Sequence, residues 1–214
     1  MRKRIVVMGA MILTLAITSL SGCIKVVKIG EEAKLLGTEE FNAGDDVESF
    51  WESKALPELT EKAVDLGTLL TEANGDLKSV ADQYGKYSMG TSGELIYTVK
   101  GTAVIKEVHT EKKAGYMTAA LDGYAGPEEI KFQVGSVIKG SAVRDALSFI
   151  KFGDYTNQEE YAAVSVGIHE KIMEQVINPE RAQELEGKTI DFTGCFTADS
   201  NSEILITPVA ITEQ

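Results

Sequence analysis

A change in hydrophobic period near Glu94 restricts the fold more than any other feature of this sequence. Between residues 46 and 92, apolar residues recur at steps of three or four, as on the buried face of amphipathic helices. From Leu95 to Val108 the pattern changes to a run rich in β-branched residues, which is typical of a strand. The chain therefore combines helices with a sheet, and its helical part must bury one apolar face on another element.

Five strands are predicted from this point to the C-terminus, separated by polar or charged turns. They cover residues 94–109, 115–122, 129–138, 189–196 and 203–211. Gly101 lies within the first strand, at a position where a long strand bends or bulges. Three strands, a helix and two strands follow the order of the OB-fold, so we predict an α+β fold built on an OB-like five-stranded Greek-key barrel.

Helices are predicted before the barrel and between its third and fourth strands. Asp45-Asp46-Val47-Glu48 has the form of a helix start, and Pro57 divides the pattern that follows into helices at about 46–54 and 57–72. The apolar residues between Leu77 and Tyr84 indicate a third, short helix. Thr156-Asn157-Gln158-Glu159 resembles a capping box that starts the longest helix, and Asn178-Pro179 ends it and starts a short one that stops before Gly187.

The N-terminus has the layout of a secretion signal. Three basic residues at positions 2–4 precede an uncharged run of 16 residues from Ile5 to Leu20, which is shorter than the roughly 20 residues of a membrane-spanning helix. The run ends in Leu20-Ser21-Gly22-Cys23, which resembles a bacterial lipobox. We predict cleavage between Gly22 and Cys23 and a diacylglyceryl lipid on Cys23, and the alternatives are an uncleaved anchor or cleavage elsewhere.

This prediction divides the chain into a signal peptide at 1–22, a lipidated tether at 23–45, a helical lead-in at 46–92 and an OB-like β-barrel domain at 93–214. Removal of residues 1–22, which hold three basic residues and no acid, changes the formal charge from −12 to −15. Acyl chains such as palmitate, and not attraction to anionic lipid, must then hold the chain at the extracytoplasmic, periplasmic face of a membrane. Cys195 is the remaining thiol, and its apolar surroundings predict a buried residue.

Charge and motif content exclude several function classes. A negative charge of this size repels phosphate backbones, so nucleic acid is not an expected partner. His109 and His169 lack the spacing of metal ligands, and we expect neither a metal nor a cofactor. Phosphate-binding glycine loops and the Gly-x-Ser-x-Gly nucleophile motif do not occur in the sequence. We therefore expect a protein without enzymatic activity.

The densest cluster of specific residues is the string QVGSVIKGSAVRDALSFIKFGDYTNQEEYA at residues 133–162. Together with the lipobox, GKTIDFTGCF at 187–196 and ILITP at 204–208, it resembles DUF2291, a family of predicted periplasmic lipoproteins of unknown function. The family motif usually reads glycine, apolar pair, basic residue, glycine, Ser or Thr, Ala, apolar residue, Arg, Asp. The chain matches it at Gly135 and from Val137 to Asp145, whereas Ser136 stands where proline is common and loosens the turn.

The resemblance implies no catalytic residues, because the family has none established. It does imply a link with sugar uptake, since members are often encoded beside components of sugar-type ABC transporters. Those components are the expected partners besides the membrane that holds the Cys23 lipid, and the ligand is unknown.

The motif residues have two interpretations. Gly135 and Gly140 bracket a strand end, and Ser141 is placed to cap a short helix containing Val143, Leu147 and Ile150. Arg144 and Asp145 would point about 100° apart on that helix, so separate partners are expected.

In the functional interpretation, Arg144 holds an acidic or polyhydroxyl ligand and Asn157 and Gln158 add hydrogen bonds. In the structural interpretation, which we favour, Arg144 staples the helix to the barrel while Asn157 and Gln158 close a loop. The candidate residues common to both are Gly135, Lys139, Gly140, Ser141, Arg144, Asp145, Asn157 and Gln158.

The leading functional hypothesis is a lipid-anchored, non-enzymatic accessory or binding module linked to a sugar-type ABC transport system. A two-lobed solute receptor needs about 300 residues, which exceeds the 192 residues that remain from Cys23 onward. The alternative is a module that binds envelope polysaccharide or a protein at the membrane face. A hydrolase is a third hypothesis, for which the sequence spacing indicates no pair of carboxylates.

Overall fold

The change of period at Glu94 coincides with the start of the longest strand. A computed structural model describes residues 41–214. The predicted signal peptide and Cys23 therefore lie outside the described residues. The strands are β1 Val64–Asp65, β2 Gly85–Tyr87, β3 Leu95–His109, β4 Tyr116–Leu121, β5 Glu129–Gln133, β6 Thr189–Thr197 and β7 Glu203–Glu213.

Five of these strands close into a barrel in the order β3-β4-β5-β7-β6, and β6 pairs back onto β3. Neighbours are antiparallel except β5 and β7, which run parallel. This circuit has one parallel contact, between the third and fifth strands of the barrel, and agrees with the OB-like five-stranded barrel predicted from the order of elements. The short β1 and β2 add to β3 outside the circuit.

Strand β3 is long enough to pair with both β6 and β4. Residues 96–104 pair with β6, and residues 103–109 pair with β4. A bend or a bulge was predicted at Gly101, and the register shift in the ladder with β4 lies instead between Ile105 and Glu107, so no bulge occurs at Gly101. Gly101 pairs with Phe192 in an unbroken ladder, and a Cβ there would lie 3.2 Å from carbons of both Leu121 and Phe192. Its role is therefore to admit two large core side chains.

The barrel interior is aromatic and aliphatic. The rings of Phe132 and Phe192 meet edge to face with centroids 4.8 Å apart. Cys195 is fully buried beside Thr98, as its apolar surroundings predicted, and burial raises the pKa of its thiol to about 12. A thiol with that pKa in a sealed core is unreactive at neutral pH.

The third strand of the barrel ends earlier than predicted, at Gln133 instead of Ile138. The remaining predicted boundaries agree with the structure within two residues. The strand stops because the next backbone amides, those of Val134 and Gly135, both donate to the single carbonyl of Gly115. One acceptor for two consecutive amides is incompatible with a continuing ladder.

The helices are α1 Ala43–Phe50, α2 Leu56–Lys62, α3 Leu66–Ala73, α4 Ala81–Tyr84, α5 Ala142–Ala146, α6 Gln158–Gln175 and α7 Pro179–Glu184. A π-helical turn at Trp51–Ala55 joins α1 to α2, and 3₁₀ turns lie at Leu77–Val80 and Phe152–Asp154. No helix within residues 41–214 is long and apolar enough to cross a membrane.

The predicted helix break at Pro57 is wrong. Pro57 lies in the first turn of α2, where its missing N–H leaves few bonds unmade, and helical structure continues from Ala43 to Lys62 through the π turn. The break comes at Ala63, whose backbone is extended, and Asp65 then caps α3 by accepting from the Thr68 amide at 2.8 Å. The first helix also begins earlier than predicted, because Asn42 caps it instead of Asp45.

The lead-in helices bury their apolar face against α6 and the barrel. Gly167 on α6 lets α1 approach closely, since a Cβ there would lie 3.0 Å from both the Ala43 carbonyl and the Val47 side chain. Trp51 is fully buried, and its indole N–H donates to Gln175 at 3.1 Å. Residues Asn42–Gln214 consequently form one compact unit, within which the predicted boundary between lead-in and barrel stays a prediction.

Candidate functional site

The motif forms the connection from the end of β5 through α5 to the start of α6. Two glycines shape it. A Cβ on Gly135 would lie 2.1 Å from both the Gly115 nitrogen and the Lys113 carbonyl oxygen, so the backbone of the neighbouring turn occupies the space of a side chain. Gly140 has a φ of +80°, a conformation that L side chains rarely adopt. Both glycines thus satisfy backbone requirements where the strand ends.

Gln133 folds the loop between these glycines back onto the barrel. Its buried amide nitrogen donates to the Lys139 carbonyl at 3.0 Å and to the Thr207 hydroxyl at 2.8 Å, and its oxygen accepts from the Lys139 N–H at 2.8 Å. The structure therefore engages Lys139 through its backbone, while the residue itself is exposed. Gln133 was quoted in the motif but not predicted as a site residue, because its partner Thr207 is 74 residues away.

Arg144 and Asp145 bind each other, so the expectation of separate partners is wrong. The Arg144 Nε and Nη2 atoms lie 2.8 and 2.7 Å from Asp145 Oδ1. Helix α5 has only five residues, and the flexible Arg144 stem folds back over the neighbouring carboxylate at its end. Adjacent residues of a regular helix point about 100° apart, but this helix is barely more than one turn long and the long Arg144 side chain reaches across that angle.

Tyr161 of α6 completes this cluster. The Arg144 guanidinium lies over its ring, 3.8 Å from the centroid, and donates from Nη1 to the Tyr161 carbonyl at 3.2 Å. The Tyr161 hydroxyl donates to Asp145 Oδ1 at 3.1 Å. Burial and the adjacent Asp145 charge raise the pKa of the Tyr161 phenol. These contacts join α5 to α6.

Ser141 does not cap α5, which corrects the prediction made for it. No side-chain capping bond is formed, and the Ser141 hydroxyl instead donates to Asp145 Oδ2 at 2.6 Å. The helix also ends at Ala146, before Leu147 and Ile150. The buried Asp145 carboxylate is thereby bonded through both of its oxygens, which offsets the cost of burying its charge.

Lys86 of β2 ties the same helix to the edge of the barrel. Its ammonium donates to the Asp145 and Leu147 carbonyls at 2.6 and 2.7 Å, which are free acceptors at the C-terminus of α5. Burial lowers the pKa of Lys86. The sequence carried no signal for this residue, because its partners are about 60 positions away and are backbone atoms.

Asn157 caps the longest helix. Its side-chain oxygen accepts from the Glu160 amide at 2.9 Å, and Glu160 in turn accepts from the Thr156 amide at 3.0 Å. The helix start predicted at Thr156-Asn157-Gln158-Glu159 is therefore displaced by one residue, because the cap is Asn157 and the acid that bonds back is Glu160. Gln158 is exposed, and its amide has no hydrogen-bond partner within the described residues. Arg144 and Asn157 therefore have different intramolecular partners instead of one shared ligand.

Neither histidine belongs to the cluster of Arg144, Asp145 and Tyr161. His109 Nε2 is 3.2 Å from Glu107, and the ring stacks on Tyr116. His169 on α6 is mostly buried, and burial together with the Arg144 charge lowers its pKa to about 4. Within residues 41–214 no group of three or more His, Cys, Asp or Glu side chains is arranged to hold a metal ion.

Comparison with solved structures identifies the class of fold. The structure is similar to the crystal structure of an OB-fold protein from Thermotoga maritima, with a TM-score of 0.64 and 16% sequence identity, covering 82% of this chain and 100% of that chain. This likeness, together with the strand circuit, confirms the predicted OB-like barrel with its additional helices.

Comparison of the sequence with protein-family models identifies the family. Residues 13–212 match the family model DUF2291, described as predicted periplasmic lipoprotein, and the chain belongs to this family. The resemblance recognised in the motif is thus confirmed, as is the predicted localisation of a lipid-anchored protein on the extracytoplasmic side of the cell envelope. A search of curated proteins found no match. Cleavage between Gly22 and Cys23 and lipidation of Cys23 stay predictions.

Proposed function

We propose that the protein is a non-enzymatic accessory or binding module, anchored by a lipid on Cys23 and serving a sugar-type ABC transport system. The proposal that the protein is not an enzyme rests on how the charged side chains of the motif are bonded. Its charged pair, Arg144 and Asp145, is committed to intramolecular bonds with Ser141 and Tyr161. A catalytic acid or base needs access to substrate, and these groups are instead enclosed.

The motif accordingly acts as a scaffold. Gln133 joins its loop to β7, Lys86 joins α5 to β2, and Arg144 joins α5 to α6. These links stiffen the connection between the barrel and its longest helix. A rigid barrel on a lipid tether is suited to presenting a binding surface close to a membrane component.

The link with transport rests on the family resemblance, and an uptake experiment tests it. Deletion of the gene is expected to lower the uptake of at least one labelled sugar by whole cells, while amino-acid uptake serves as the control. Wild-type protein is expected to restore uptake and Cys23→Ala is not, because the variant is not anchored. Unchanged uptake of every sugar in the deletion strain would reject the transport role.

A second candidate function is protein binding at the membrane face. Phe152, in the 3₁₀ turn before α6, is 55% exposed and meets the Tyr161 ring edge to face at 5.4 Å. Exposed aromatic side chains on rigid supports are frequent in protein interfaces. Phe152→Ser in the uptake experiment tests this position, since loss of uptake with normal folding would indicate that Phe152 contacts a partner protein.

A further inference from the structure

The outer wall of the barrel carries a polar groove on strands that the motif does not occupy. The groove has a volume of about 400 Å³ and is largely open to solvent. Its polar lining consists of Asp65, Lys100, Thr102, Asp191, Thr193 and Thr212. These residues are distributed over 148 positions of sequence, so no local pattern indicated them.

The strand register explains why these side chains converge. Asp65, Lys100 and Thr193 form one row across β1, β3 and β6. Thr102, Asp191 and Thr212 form the next row across β3, β6 and β7. Residues two apart on a strand share a face, and neighbouring strands lie about 4.8 Å apart. Two adjacent rows therefore present six polar side chains on one rigid wall.

Each of the two carboxylates in the groove is held in place by hydrogen bonds to one of its oxygens, and the other oxygen is unbonded among residues 41–214. Asp191 Oδ1 accepts from the Thr102 hydroxyl at 2.6 Å and from the Gln214 amide at 2.9 Å. Asp65 Oδ1 accepts from the amide and the hydroxyl of Thr68 at 2.8 and 2.9 Å. Within the described part of the chain, the Oδ2 atom of each has no partner, and the Lys100 ammonium has neither an ion pair nor a hydrogen bond.

The charges of the groove restrict what it binds. Two carboxylates repel phosphate and other anions, and Lys100 between them repels metal cations. A mixture of oriented acceptors, an ammonium donor and threonine hydroxyls suits a neutral molecule with many hydroxyl groups, since each hydroxyl both donates and accepts. Between the two rows, Gly101 and Phe192 also line the groove, while the Phe192 ring itself packs in the barrel core against Phe132.

We propose that this groove binds a neutral polyhydroxylated small molecule of the sugar class, oriented by Asp65, Asp191 and Lys100. The inference rests on the proposed function as a binding module and names its site and ligand class. It lies on β1, β3, β6 and β7, and none of its lining residues belongs to the segment at residues 133–162.

Calorimetric titration of the full-length chain in detergent with glucose, galactose, ribose and xylose tests the ligand class. At least one of these sugars is expected to bind, and Asp191→Ala is expected to raise its Kd about tenfold or more, the effect of losing a hydrogen bond to a charged group. Asp82→Ala, which removes an exposed carboxylate on α4, is the matched control and is expected to leave the Kd unchanged.

Lysine acetylation read by mass spectrometry tests the location. The bound sugar is expected to slow acetylation of Lys100 and leave that of Lys78 unchanged, because Lys78 is exposed and does not line the groove. Inorganic phosphate and Mg²⁺ are expected to protect neither residue.

Three results would overturn the inference. If a sugar binds with the same Kd to wild type and Asp191→Ala and does not slow acetylation of Lys100, the groove is not its site, but the proposed function as a binding module still stands. Absence of binding by all four sugars rejects the ligand class, and the uptake experiment then decides the proposed function independently. Slower acetylation of Lys100 in the presence of phosphate or Mg²⁺ would show that the groove binds a charged species, which contradicts the proposal of a neutral ligand.

Discussion

The Arg144 guanidinium lies over the ring of Tyr161, 3.8 Å from its centroid, while both side chains bond the same oxygen of Asp145. The most distinctive charged pair of the motif thus faces inward and joins two helices. A charge pair enclosed in this way stabilises the fold only while every member is present, because each one compensates the desolvation of the others.

Arg144→Ala is expected to destabilise the protein by about 3–5 kcal/mol, because it leaves the buried Asp145 carboxylate without its cation. Tyr161→Phe removes one hydrogen bond and is expected to cost about 1–2 kcal/mol. Urea unfolding of the full-length chain in detergent measures both. The control is Lys112→Ala at an exposed turn position, expected within about 0.5 kcal/mol of wild type. A similarly small effect of Arg144→Ala would contradict the enclosed pair.

Gly135→Ala is expected to be among the most damaging methyl additions in the barrel. The new Cβ would lie 2.1 Å from backbone atoms of Gly115 and Lys113, which cannot move without breaking the turn. A loss of about 3 kcal/mol is expected, as for overpacked cores. Gly153→Ala is the matched control, since nothing lies within 4 Å of its Cβ position. Equal stability of the two variants in thermal unfolding would contradict the close approach.

Stability is expected to fall between about pH 6.5 and pH 4 because of His169. Burial lowers its pKa in the folded state to about 4, whereas the unfolded side chain takes up a proton near pH 6.5. Protonation in this window therefore favours the unfolded chain. After allowance for partial exposure, the loss is about 2 kcal/mol.

His169→Gln is expected to flatten the stability profile over that window, as measured by urea unfolding at several pH values. Val166→Ala, an exposed position on the same helix, is the control and is expected to retain the wild-type slope. An identical pH profile for His169→Gln and wild type would show that His169 is not held neutral.

Cys23→Ala is expected to abolish incorporation of a labelled fatty acid and to move the protein from the membrane fraction to the soluble fraction. The predicted acyl chains supply the membrane affinity, since an acidic chain gains none from anionic lipid. Cys195→Ala is the matched control and is expected to remain fully labelled, because the Cys195 thiol is buried. Equal labelling of wild type and Cys23→Ala would reject the anchor.

The order of barrel strands was predictable because local patterns carry it. Alternation marked β3, and turn residues separated the strands. The pattern at 156–159 indicated the longest helix to within one residue of its cap Asn157, and Asn178 was predicted as the cap of the next helix. The predictions failed where the local rule was overridden, as at Pro57, which a first turn tolerates, and at Ser141, whose hydroxyl prefers a buried carboxylate to a capping bond.

The sequence by itself determined the lipoprotein family, the strand order of the barrel and the burial of Cys195. Only the tertiary structure decided that Arg144 and Asp145 pair with Tyr161, that Gln133 and Lys86 brace the motif, and that six polar residues share a groove. Periodicity and capping act over a few residues and can be read along the chain. Contacts such as those between Thr102 and Asp191, 89 residues apart, exist only once barrel closure has set the strand register.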